Sequence, residues 1–428
     1  MSCDFLYSKR LLSNRIAFLI AGFCIAAWAP MIPFVKERFA LDEHNLGILL
    51  LCVGIGAFTT MTTAGYVSSK LGCKIPAYFS TIIIAICLAA IPFVYHLYLL
   101  AAILFIMGAC LVLLEVVANV NAAIIERVSN KNVMSGLHGL YSVGGFAGSL
   151  SVTFLLTHSM PFMFSGIYAC AIMLICLFWG GRYLLPTINV ADDGTFLSQA
   201  PEPAPSSTED TNSQKKKGAL AHYTNGTILL IGFMCFVMYM TEGSMLDWTG
   251  VFLTAERGVS IEAAGYGFAA FSIAMTIFRL TGDKLVSILG RGRIIIIGTF
   301  LIVLGYLISV FVPHYIAALV GFAVIGVGAS NVVPQLFSVC ARIEEVPTHI
   351  SLTVINAIGY SGGLIGPALI GFLAHAIGLP NTYLVQAAGV LSVTVMSFLL
   401  LRSLRHKHLH GSQREQAKDD AQSLSTQS

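Results

Sequence analysis

Charged residues are scarce in this sequence. Lysine, arginine, aspartate and glutamate make up 11% of its 428 residues, against about a quarter in soluble domains. Hydrophobic residues make up 56% of the chain, more than a soluble protein with so few charges can hide from water. The composition therefore excludes a soluble globular domain and indicates a chain that places much of its surface in lipid.

Motifs of enzymes and of metal sites are missing as well. The ten cysteines stand singly inside apolar runs, with no CxxC pair and no cysteine–histidine cluster, so neither a disulfide framework nor a metal site is indicated. No HExxH or P-loop sequence occurs, which argues against an enzyme of those classes and against transport driven by ATP. We therefore expect no cofactor, metal or nucleic acid to bind.

Long apolar runs are abundant instead. Twelve of them approach the length of about 20 residues that a helix needs to cross a bilayer. Six lie in residues 1–184 and six in residues 225–404, and we predict an all-α membrane protein of 12 transmembrane helices in two six-helix bundles. Residues 185–224 have a core rich in proline, serine and charge, which predicts a disordered cytoplasmic linker. Residues 405–428 are predicted to form a polar cytoplasmic tail.

Basic residues fall almost entirely on one side of this arrangement. Twenty lysines and arginines lie in the termini, the linker and the even-numbered loops, and only Lys36, Arg38 and Arg257 lie in the opposite loops. The positive-inside rule places the side that is rich in basic residues in the cytoplasm. We therefore predict a multi-pass protein of the plasma membrane, the inner membrane of a bacterium, with both termini cytoplasmic.

The two halves also repeat each other in sequence. At a constant offset of 218 residues Gly108 falls on Gly326, and the Gly-Gly-x-x-Gly run from Gly144 falls on the one from Gly362. Copies with an even number of spans share one orientation, so an axis along the membrane normal should relate them. This predicts pseudo-symmetric bundles with a solute cavity between them near mid-bilayer.

The loop between the second and third runs carries a basic motif framed by glycines, Gly65-Tyr-Val-Ser-Ser69-Lys70-Leu-Gly72-Cys-Lys74. Together with the paired halves and the central linker, it resembles the major facilitator superfamily, in which an aspartate usually stands at the position of Ser69. The segment Glu115-Val-Val-Ala-Asn119 is similar to one in fucose-permease-type sugar:proton symporters. With the segments around His138 and Glu242, it resembles the YbjJ-type bacterial inner-membrane permeases. The resemblance implies solute transport by alternating access.

Three acidic residues stand inside apolar runs: Glu115 in the fourth, and Glu242 and Asp247 in the seventh. An ionised side chain at the bilayer centre costs about 2.5–3.5 kcal/mol, so such residues normally face a partner or a wet cavity. Asn119 lies one turn from Glu115 on the same helix face, and the two can bind sugar hydroxyls together. We predict that these two residues and Glu242 bind solute, and that both glutamates couple protons. Asp247 fits an interfacial position beside Trp248 as well.

Further polar side chains are candidates for the cavity lining. Trp28 is the one large side chain with a polar group in the first run, which has no acidic residue. Asn331 and Gln335 lie one turn apart in the tenth run, as do Asn356 and Tyr360 in the eleventh, although such stripes also serve helix–helix contact. We predict that all five bind solute.

Two charged candidates remain near the ends of runs. His138, three residues before Tyr141, is predicted to gate the cytoplasmic end or to pass a proton. Arg279 precedes Asp283 by four residues, a spacing that predicts a local ion pair of structural character.

These features favour a secondary transporter. We predict symport of a small, polar, sugar-like solute with a proton, by alternating access, in a chain that acts as a monomer. Two alternatives stay open: efflux of a metabolite or drug by proton antiport, and a transporter-like membrane receptor without flux.

Overall fold

The computed structural model describes residues 3–129, 133–189, 225–340, 348–400 and 402. All regular structure within these ranges is helical. The predicted linker from residue 190 onwards and the predicted polar tail lie outside the described residues.

Twelve of the described helices are long and apolar enough to cross a membrane, which confirms the predicted all-α membrane fold. They are numbered here in chain order as α1 Tyr7–Arg38, α2 Glu43–Leu71, α3 Lys74–Phe93, α4 Leu97–Ser129, α5 Gly136–Thr157, α6 Phe162–Tyr183, α7 Gly226–Arg257, α8 Ile261–Leu280, α9 Arg291–Phe311, α10 Tyr315–Cys340, α11 Ser351–Ile377 and α12 Leu379–Leu400. A short helix, Gly282–Leu289, joins α8 to α9.

The sequence repeat reappears in how helices end and pack. Gly72, which ends α2, and Gly290, which ends the short helix after α8, both have positive φ angles (69° and 80°), a conformation that glycine adopts without strain. Close packing repeats as well: Gly108 of α4 lies against the backbone of Val53 in α2, and Gly326 of α10 lies against that of Phe271 in α8. Both pairs are related by the offset of 218 residues.

Two arginines in the loops with few basic residues have matching structural roles. Arg38, at the end of α1, donates hydrogen bonds from Nη1 to three carbonyl oxygens where α3 ends, the shortest being 2.7 Å to Pro92. Arg257, at the end of α7, donates from Nη2 to the carbonyls of Ser309 and Val310 where α9 ends, at 2.6 and 2.9 Å. Each arginine therefore satisfies carbonyls that a helix terminus leaves without partners.

The two halves contact each other mainly along α2 with α11 and along α5 with α8. These contacts are tight at the end of the bundle opposite the termini, called the far end below. There Gly47 of α2 lies against the backbone of Gly371 in α11. Ser149 of α5 donates a hydrogen bond of 3.2 Å to the carbonyl of Gly265, near the start of α8. The far end is thus closed by direct contact between the halves.

Candidate functional site

Glu115 lies half-buried near the middle of α4. The hydroxyl of Tyr141 in α5 donates a hydrogen bond of 3.0 Å to its Oε1. Gly22 lets α1 lie against the backbone of Tyr141 with no side chain between them, which fixes α5 beside α1. The amide of Asn119 donates to the backbone carbonyl of Glu115 at 2.8 Å, so Asn119 supports the helix beside the carboxylate.

Glu242 is the matching acid of the second half, near the middle of α7. Its partner is Arg279 of α8, whose Nη2 lies 3.8 Å from Oε1 of Glu242. Arg279 is anchored on its other side, because its Nε donates a hydrogen bond of 3.1 Å to the carbonyl of Ser330 in α10. The sequence spacing had pointed to Asp283 as the partner of Arg279, but the side chain of Asp283 lies outside the described residues.

Two stacked tyrosines lie between the acids. The rings of Tyr239 in α7 and Tyr360 in α11 stack with centroids 5.1 Å apart and planes 18° apart. Tyr360 interacts electrostatically with both Glu115 and Glu242, and it is 46% exposed. An exposed ring at this depth means that space remains beside Tyr360 between the halves.

We call these six residues the central cluster: Glu115, Tyr141, Tyr239, Glu242, Arg279 and Tyr360. The first two come from one half and the other four from the second, so the cluster exists only where the halves face each other. It combines two carboxylates, one guanidinium and three phenol groups around an open space. Such a set can bind hydroxyl groups, hold or release a proton at a carboxylate, and stack against an apolar ring face.

The remaining predicted residues occupy other positions. Asn331 is buried, and its amide donates to the carbonyl of Phe278 in α8 at 2.8 Å, a helix–helix contact. Trp28 is 1% exposed and Gln335 is buried, and neither Nε1 of Trp28 nor Oε1 of Gln335 has a hydrogen-bond partner among the described residues. Asn356 is half-buried in α11, one turn before Tyr360.

His138 is exposed near the start of α5, with its ring against Phe18 at 5.1 Å between centroids. It interacts electrostatically with Arg279 across the contact between α5 and α8. His138 therefore lies beside the central cluster, on the side of the termini. Asp247 is buried in α7, with no hydrogen bond or ion pair to it among the described residues.

Sequence reasoning missed Tyr239 as a site residue and gave Arg279 a structural role. Arg279 could have been found from its place within an apolar run, the same signal that singled out the two glutamates. Tyr239 carries no such signal, because aromatic residues are common in apolar runs. No group of three or more histidine, cysteine, aspartate or glutamate side chains that could hold a metal ion occurs among the described residues.

Comparisons with known proteins agree with this architecture. A family model described as Major Facilitator Superfamily matches residues 16–348 and 232–425. An uncharacterized MFS-type transporter of Yersinia pestis is 36% identical over 390 residues, covering 91% of this chain and 95% of that protein. Membrane protein MosC of Rhizobium meliloti is 28% identical over 386 residues, covering 90% and 89%.

Among solved structures, a mutant form of the nucleoside transporter NupG superposes with a TM-score of 0.71, covering 91% of this chain and 99% of that one. The sequences are 12% identical, so this likeness concerns the fold alone. It agrees with the all-helical fold of twelve membrane-spanning helices described above. The named relatives are transporters or membrane proteins, which points to a transport function and not to an enzyme.

Proposed function

The chain belongs to the major facilitator superfamily of membrane transporters, and we propose that it carries a small, polar, sugar-like solute together with a proton. One observation carries the proposal. One carboxylate from each half, Glu115 and Glu242, lies in a membrane-spanning helix, and the exposed ring of Tyr360 lies within electrostatic range of both. A solute between the halves would meet both carboxylates at once.

Alternating access follows from where the halves touch. The far end is closed through α2 with α11 and α5 with α8, so a rocking motion that separates these contacts would open the cavity to the other side. Between the two open states the cavity must close to both sides of the membrane. Ionised carboxylates oppose this closure, because charge at mid-membrane is costly. A proton on Glu242 would remove one charge, which is the proposed reason that solute and proton move together.

Glu242→Gln tests this role. A glutamine keeps the size of the side chain but cannot exchange a proton, so we expect accumulation against a gradient to be lost while exchange of solute across the membrane continues. The solute is identified first, by thermal-shift screening of the purified protein against sugars, polyols, nucleosides and organic acids. Accumulation against a gradient that persists in a folded Glu242→Gln variant would contradict a coupling role for Glu242.

We also propose that both termini face the cytoplasm and that the far end faces outwards, in the inner membrane of a bacterium, with the chain acting as a monomer. The bias of twenty basic residues against three supports the orientation. A single cysteine placed at Glu43 should react with an impermeant reagent from outside, and one placed at Ser207 should not. Reaction of both from the same side would contradict the proposed topology.

A further inference from the structure

The pair formed by Glu242 and Arg279 is too wide for a direct hydrogen bond. Nη2 and Oε1 lie 3.8 Å apart, whereas charge-assisted bonds between nitrogen and oxygen measure about 2.7–2.9 Å. Oε1 of Glu242 has no hydrogen-bond partner among the described residues. Arg279 is held to α10 through its bond to Ser330, which limits its approach. The pair therefore leaves an acceptor and a donor facing each other across a gap.

A hydroxyl group suits this gap, because it can accept a hydrogen bond from the guanidinium and donate one to the carboxylate at the same time. A carboxylate on the solute would be repelled by Glu242, and an ammonium group by Arg279. Oε1 of Glu242 is itself buried, but the side chains of Arg279 and Glu242 are 27% and 21% exposed, so a solute in the cavity can reach the pair through their other atoms. We infer that Glu242 and Arg279 form a hydroxyl-binding pair that selects a neutral polyhydroxylated solute over its acidic and amine analogues.

The rest of the central cluster suits the same class of solute. The Tyr239–Tyr360 stack offers an exposed aromatic ring, against which the C–H face of a sugar or cyclic polyol can pack. Glu115 and its hydrogen-bonded partner Tyr141 supply a second set of acceptors and a hydroxyl on the other half. Two carboxylates and one guanidinium leave one net negative charge, which one proton neutralises. A neutral solute then leaves the loaded site without net charge.

Because this inference rests on the proposed solute site but not on proton coupling, its test uses binding without any gradient. The probes are matched sets: glucose, glucuronate and glucosamine; galactose, galacturonate and galactosamine; and myo-inositol, ribose and sorbitol as further neutral compounds. Thermal shift of the purified full chain should respond to neutral members only. The neutral compound that binds then serves as the reference in competition measurements with its analogues.

Two variants should change the selectivity in opposite directions. Glu242→Gln leaves the charge of Arg279 without its carboxylate, so we expect affinity for the acidic analogue to rise at least tenfold relative to the neutral compound. Arg279→Gln leaves Glu242 without its cation and should favour the amine analogue to a similar degree. The double variant, with glutamine at both positions, has the net charge of the wild-type pair and should prefer the neutral compound again.

The inference is overturned if acidic or amine analogues bind wild type as well as neutral compounds do, or if no neutral compound binds. It is also overturned if neither single variant shifts selectivity, or if the double variant fails to restore it. A single variant that does not fold leaves the other single variant to decide, with the double variant as its control. If the chain shows the inferred selectivity but accumulates solute without a proton gradient, the proposed symport is contradicted and the inference about the Glu242–Arg279 pair stands.

Discussion

Replacing Glu115 with glutamine probes the first half of the site with little change of shape. The glutamine carbonyl can still accept the hydrogen bond that Tyr141 donates at 3.0 Å, so α4 and α5 should remain in contact. What is lost is the negative charge offered to the solute. A hydrogen bond to a charged group contributes about 1.5–3 kcal/mol, so we expect affinity to fall by about tenfold to a hundredfold.

The assay is equilibrium binding of the solute identified by thermal shift, with the unfolding temperature of each variant measured alongside. Glu126→Gln is the matched control. Glu126 lies in the same helix and accepts hydrogen bonds from the backbone amides of Val133 and Met134 at 2.7 and 3.0 Å, away from the central cluster. Its replacement should leave affinity unchanged. A folded Glu115→Gln variant with wild-type affinity would refute a binding role for Glu115.

Three further predictions concern the scaffold. Gly22→Ala should lower the unfolding temperature and weaken solute binding, because a methyl group would press on the backbone of Tyr141. Overpacking of this kind costs about 1–3 kcal/mol of stability. An unchanged unfolding temperature would show that α1 can shift to make room for the methyl group. Arg38→Gln should cost about 1.5–3 kcal/mol of stability through the lost bonds to the end of α3, while the affinity of folded protein, measured by the same binding assay, stays at the wild-type value. At the far end, Asp42 lies 3.7 Å from Nδ1 of His375 in the other half, and the hydrogen bond from the amide of Asn45 lowers the pKa of Asp42. Wild type should therefore melt above Asp42→Asn near neutral pH. The difference should shrink as pH falls below the ordinary aspartate pKa of about 4 and vanish below the lowered pKa of Asp42 in the folded protein. A difference that persists at that lower pH would exclude the carboxylate charge as its source.

The sequence was sufficient to predict the fold because each spanning helix is specified locally. A run of apolar residues about 20 long has few alternatives in lipid, and the offset of 218 residues that joins Gly108 to Gly326 reappears as the same glycine-mediated packing in both halves. The acids Glu115 and Glu242 were singled out by the cost of burying their charge, which depends on position in a run and not on neighbours.

Partners were harder to predict than positions. Sequence spacing favoured Asp283 for Arg279, since residues four apart meet on one helix face. The partner that the structure describes is Glu242 in α7, 37 positions away in the chain (279 minus 242). Asn331 was predicted to bind solute, and its amide donates a hydrogen bond to a backbone carbonyl of α8, a contact that the sequence did not indicate. Which polar group of a helix faces the cavity depends on how the helix is rotated against its neighbours, and periodicity does not encode that rotation when apolar residues surround every face.

Which end of the cavity is closed was also beyond the sequence. The contact between Gly47 and Gly371 joins residues from different halves, whose spacing does not follow the repeat. Alternating access requires these contacts to break and re-form, so one sequence must support at least two arrangements. The described structure is one of them, with the far end closed.

Proton coupling through a cavity shared by Glu115 and Glu242 is the central claim, and solute accumulation in proteoliposomes under an imposed pH gradient tests it most directly. The account predicts that solute accumulates on the more alkaline side, that a protonophore abolishes this accumulation, and that a sodium gradient does not replace the pH gradient. Accumulation that persists with the protonophore present and follows the sodium gradient would contradict it.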